Sequence, residues 1–87
     1  MKQIKLECGF EAELDEAKIW SDMRMIEDMA AVDQGHAFAL VRLTEWLLGE
    51  HKEALYQALE DEDGSVPPLK VRRAVTEIIG QLSEKNS

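Results

Sequence analysis

The sequence predicts a mainly helical fold of about four helices in one small domain, preceded by a short N-terminal β-hairpin. Three observations predict it. Apolar and charged residues alternate along residues 3–14, the period-two pattern of strands with one buried face. From Asp15 the period lengthens to that of a helix. Gly35, Gly49, Gly64 and Pro67-Pro68 then punctuate the chain, and no linker is long enough to divide it. Residues 1–87 are read as a single domain, with the hairpin in 1–14 and the helical part in 15–84.

In the hairpin, Ile4 and Leu6, with Cys8 at the end of the row, alternate with Lys5 and Glu7. Phe10, Ala12 and Leu14 alternate with Glu11 and Glu13, and Cys8-Gly9 supplies a tight turn between the two runs. A lone hairpin is marginal in water, so its apolar face is expected to lie on helices.

Asp15 is a suitable N-cap for a first helix over residues 16–33. Ile19, Met23, Ile26 and Ala30 form its main stripe, widened on one side by Met25, Met29 and Val32. Trp20 falls off that arc, beside Arg24 and Glu27. Gly35 is the expected stop. The second helix, residues 36–48, is apolar on most sides, which marks a central element. Leu40, Leu43, Trp46 and Leu47 make one face, while Val41 and Leu48 point elsewhere.

The third helix, residues 50–63, carries a narrower stripe of Ala54, Leu55, Ala58 and Leu59. Pro68 suits the first turn of a last helix to Leu82, with Val71, Val75, Ile78 and Leu82 on one face. The four helices are expected to centre near residues 24, 42, 56 and 75. Gly80 interrupts the last one at a cost of roughly 1 kcal/mol relative to Ala.

Composition narrows the function. The 87 residues are 45% apolar but only 6% aromatic, so aliphatic side chains and Met must fill the core. Eighteen acidic residues face ten basic ones, for a formal net charge of −8. That balance opposes binding to nucleic acid or anionic membranes, where attraction to phosphate dominates. A single cysteine, Cys8, cannot form an internal disulfide. No apolar run reaches the roughly 18–20 residues that span a bilayer, and no signal-peptide core is present, so a cytosolic protein is expected.

No catalytic or metal constellation emerges. Glu60-Asp61-Glu62-Asp63-Gly64-Ser65 resembles a calcium loop superficially. With Gly64 at its sixth position, however, the first falls on Leu59 and the twelfth on Lys70, where a bidentate Glu is required. His36, His51 and Cys8 are not spaced as zinc ligands. No nucleophile elbow or Gly-rich phosphate loop is present. Lys70, Arg72 and Arg73 read as a solvated face. The expectation is a non-enzyme without cofactor. Trp20, Met23, Met25, Met29 and Trp46 are the protein-binding candidates: soft Met clusters recur at adaptable surfaces, and Trp20 lies outside the core stripe.

Several segments carry a family resemblance. Asp22-Met23-Arg24-Met25-Ile26-Glu27, Asp33-Gln34-Gly35, Leu47-Leu48-Gly49-Glu50, Leu55 through Pro67 and the closing Lys85-Asn86-Ser87 stand in the order and spacing of the short-form tail assembly chaperones of long-tailed, siphovirus-type bacteriophages and prophages, which the chain resembles. Met23 stands where that family often has an aromatic, and the hairpin has no firm counterpart. The resemblance implies a non-catalytic role: binding the helix-rich tape-measure protein, keeping it soluble and aiding tail-tube assembly. It also implies tail-tube protein and a longer frameshifted form of the chain as partners, with self-association open. It places the protein in the host bacterial cytoplasm and outside the mature virion. The alternative is an acidic inhibitor or antitoxin-like module that binds a basic protein by charge mimicry. That reading requires acids spread over one continuous face, whereas here they flank apolar stripes.

Overall fold

The structure, a computed structural model, describes residues 1–83. Glu84 and the Lys85-Asn86-Ser87 ending lie outside the described residues. Strands β1 (Lys2–Lys5) and β2 (Glu11–Leu14) precede helices α1 (Met23–Asp33), α2 (Ala37–Leu48), α3 (Lys52–Leu59) and α4 (Pro68–Ser83). Short 3₁₀ turns span Lys18–Trp20 and Gly49–His51.

The predicted hairpin forms. β1 and β2 pair antiparallel, with Ile4 opposite Ala12 and Lys5 opposite Glu11. The Leu6 N–H donates to the Phe10 carbonyl and the Gly9 N–H to the Leu6 carbonyl, each at 3.0 Å. Gly9 has φ +99°, a left-handed conformation that costs glycine little, so the loop is a turn closed by a bulge. Ile4, Leu6, Phe10, Ala12 and Leu14 are all buried, while Cys8 at the turn is exposed.

The first helix departs from expectation. It opens at Met23, not near residue 16. Local side-chain bonds decide this. Asp15 does not cap a helix: its carboxylate accepts from the Ala17 N–H at 3.0 Å in a local turn, and the 3₁₀ turn that follows begins after Ala17 without a side-chain cap. The Ser21 hydroxyl donates to the Lys18 carbonyl, and the Asp22 carboxylate accepts from the Arg24 N–H at 2.9 Å, restarting the chain as a helix. Ile19 is therefore buried from a separate element. The inward stripe of α1 is Met25, Asp28, Met29 and Val32, at i, i+3, i+4 and i+7, and Met23 and Ala30 point to solvent. An acid can sit in that stripe because Arg42 of α2 reaches it. A Schellman closure ends the helix: the Gly35 N–H bonds the Val32 carbonyl and the His36 N–H the Ala31 carbonyl.

Helix α2 is central, packing on both α1 and α3. It is not buried all round. Ala39, Leu43, Thr44, Leu47 and Leu48 face inward, Leu48 included, whereas Leu40 and Trp46 are half-buried. Phe38 and Val41 are 83% and 62% exposed. The Thr44 hydroxyl, wholly buried, donates to the Leu40 carbonyl at 2.7 Å and so needs no other partner.

Helix α3 is shorter than predicted, ending at Leu59 with Leu55 and Leu59 inward. Glu60 turns extended, with ψ 138°. Continuing through residues 60–63 would set four carboxylates at the negative end of the helix. Those residues instead form a capped loop. The Asp63 carboxylate accepts from the Ser65 N–H and hydroxyl, which hold it below the ordinary carboxylate range, and Asp61 pairs with Lys70. Helix α4 matches its prediction, burying Val71, Ala74, Val75, Ile78 and Leu82. Its Gln81 side chain reaches the hairpin: Nε2 donates to the Lys5 carbonyl at 2.9 Å, and Oε1 accepts from the Lys5 N–H at 3.4 Å.

Candidate protein-binding groove

Helix α1 packs chiefly on α2, and α4 reaches the hairpin and α3. Between α1 and α4 the surface sinks into an apolar groove. One recess of about 190 Å³ is lined by Met29, Val32 and Asp33 of α1, Leu43 of α2, and Val75, Thr76 and Ile79 of α4. A second, of about 200 Å³, shares Val32 and continues past Leu40 to Pro68, Leu69 and Arg72. The deepest lining residues, Leu43 and Val75, are essentially inaccessible. Leu69, 55% exposed, stands at the far end.

The groove is apolar at its base and polar at its rim. Asp33 and Arg72 line it, and neither has an ion-pair partner among the described residues. Asp28 and Arg42 brace α1 on α2. Arg42 Nη2 and Nε donate to the two carboxylate oxygens at 2.8 and 3.2 Å. These bonds hold the Asp28 carboxyl below its ordinary range and outweigh the opposing effect of burial.

The five binding candidates fall in different places. Met29 lines the groove. Met25 lies half-buried on the same stripe of α1, one turn earlier. Trp46 packs half-buried against the core, with the Lys18 ammonium 5.1 Å from its ring centroid, a cation–π contact. Trp20 and Met23, 66% and 64% exposed, stand outside the groove where α1 begins. The sequence reading missed the α4 wall, Thr76 and Ile79, because the burial stripe of α4 was complete without them. The exposure of Phe38 and Leu69 was likewise not foreseen, whereas Val41, expected to point away from the main face of α2, is exposed. A signal for Phe38 was present: α2 carries more apolar residues than one inward stripe can hold.

Among the described residues no three His, Cys, Asp or Glu side chains gather to hold a metal ion. None of the described helices is long and apolar enough to cross a membrane. Comparison with protein-family models, with curated proteins and with solved structures found no match to this chain.

Proposed function

We propose that the protein is a non-catalytic tail assembly chaperone of a long-tailed bacteriophage or prophage, which binds the tape-measure protein and aids tail-tube assembly. The segments given above, from Asp22-Met23 to Val66-Pro67, support the family reading. The observation that carries the binding reading is the apolar groove between α1 and α4 in a molecule of net charge −8. A helix docked there would lie along α4. The two recesses are lined near residues 68–72 and 75–79 of α4. Their centres are thus about seven residues, roughly 10 Å, apart along the helix axis. An amphipathic partner helix presents apolar side chains at i and i+7 with that same spacing. Met29 at the groove wall is an adaptable contact for changing partner sequences.

In this reading the protein acts in the host bacterial cytoplasm and leaves before the virion is complete. Tail-tube protein and a longer frameshifted form of the chain are further partners. The test is co-expression with a helical tape-measure segment that is insoluble alone. Met29→Glu and Ile79→Glu, both at half-buried positions, should abolish rescue and co-purification while the folded circular dichroism signal persists. Capture that survives both substitutions and disappears between 0.1 and 0.5 M salt would instead favour the charge-mimic alternative.

A further inference from the structure

The hairpin has two edges, and the fold treats them differently. The Leu6-to-Phe10 bond and the Ile4–Ala12 register set the phase of the ladder. Ile4 and Ala12 exchange ladder bonds, whereas Lys5, Glu11 and Glu13 turn their backbone groups away from the opposing strand. On the β1 side, where Gln3 and Lys5 both turn outward, the Gln81 amide occupies the N–H and the carbonyl of Lys5, and only the backbone groups of Gln3 are left without a partner among the described residues. On the β2 side, the N–H and carbonyl groups of Glu11 and Glu13 have no partner among the described residues. Both residues are exposed.

The side chains beside this open edge share one sign. Glu11 and Glu13 stand on the outer face of the hairpin, opposite the buried Ala12 and Leu14, and Asp15 and Glu16 follow. Lys5 reaches Glu11 at 3.8 Å, across the hairpin, while Glu13 has no ion-pair partner among the described residues. A second copy pairing antiparallel at this edge would set Glu11 and Glu13 against the same two acids of its neighbour, and like charges opposed across strands destabilise the pair. A helix cannot use the edge, because its own backbone groups are already bonded internally.

We propose that the outer edge of β2 is a docking site for an extended, basic segment of a partner protein. The segment adds as a third strand. Its backbone bonds the N–H and carbonyl groups of Glu11 and Glu13, and Lys or Arg at alternate positions pair with the two carboxylates. Residues between them take small apolar side chains on the Ala12 side. The acids that reject a second copy thereby select the partner. The site is separate from the groove and does not depend on the chaperone reading.

The test uses the full chain, isotope-labelled for NMR, and the capped peptide Thr-Lys-Val-Lys-Val-Lys-Thr, with its Glu-for-Lys counterpart as control. The Lys peptide should bind, slow hydrogen exchange at the Glu11 and Glu13 amides, and outbind the Glu peptide by at least about tenfold. Glu13→Pro removes an N–H that the ladder does not use, so the hairpin should persist and binding should be lost. The Glu11→Lys/Glu13→Lys variant needs no backbone change and should invert the preference towards the Glu peptide. Absence of binding would overturn the proposal. So would binding that leaves the Glu11 and Glu13 amides unprotected, or a preference that the charge swap does not invert.

Discussion

Asp28 and Arg42 sit fourteen positions apart in sequence, yet the Arg42 guanidinium closes on the Asp28 carboxylate with two hydrogen bonds, at 2.8 and 3.2 Å. The carboxylate is buried among the inward residues of α1, while the Arg42 side chain remains 60% exposed. Because the folded pair holds the Asp28 carboxyl below its unfolded value, its contribution to stability is fully present above the unfolded value. That contribution is lost as pH falls through the folded one. The melting temperature of the wild type should therefore exceed that of Asp28→Asn at pH 7, and the two curves should converge below about pH 4. A gap that persists at low pH would assign the stabilisation to packing rather than to charge.

Leu43 is fully buried and forms the base of the groove. Leu43→Ala should cost roughly 2–5 kcal/mol in a denaturant melt, through lost transfer energy and the cavity left behind. The neighbouring Thr44→Val should change stability by less than about 1 kcal/mol, since the Leu40 carbonyl keeps its helical bond when the hydroxyl is removed.

Gly80 lies on the exposed side of α4, and a Cβ built there meets nothing within 4 Å. No contact in the structure explains a glycine at this position. Gly80→Ala should raise stability by about 0.5–1 kcal/mol, through helix propensity and a less flexible unfolded chain. Urea melts of the two proteins measure it, and an unchanged midpoint would refute the argument.

Trp20 is 66% exposed at the end of the 3₁₀ turn. Trp20→Ala should leave the melting curve within about 0.5 kcal/mol of the wild type. If Trp20 anchors the tape-measure segment, the same variant should weaken co-purification, with little change between 0.1 and 0.5 M salt. Unchanged capture would confine binding to the groove.

The legible parts of this fold are those in which one segment carries its own instructions. β1 and β2 alternate apolar and charged residues and meet at Gly9, and α4 places Val71, Val75, Ile78 and Leu82 on a single arc. Each pattern admits one inward face, so period alone was enough to place them. The candidate residues Met29 and Met25 were legible as an apolar row on α1, but their relation to α4 was not.

Local sequence suffices for the hairpin, the order of four helices, the acidic balance and the breaks at Gly35 and Gly49. These follow from local conformational preference and from solvation of single faces. Tertiary structure decided the rest. It rotated the stripe of α1, because the Asp22 cap restarts the helix and Arg42 makes a buried Asp28 tolerable. It chose which apolar residues of α2 remain outside, leaving Phe38 and Val41 in solvent. It also opened the groove, whose walls come from α1 and α4 and whose floor includes Leu43 of α2. A groove is a gap between elements distant in the chain, and its shape depends on how they pack, which no single segment encodes.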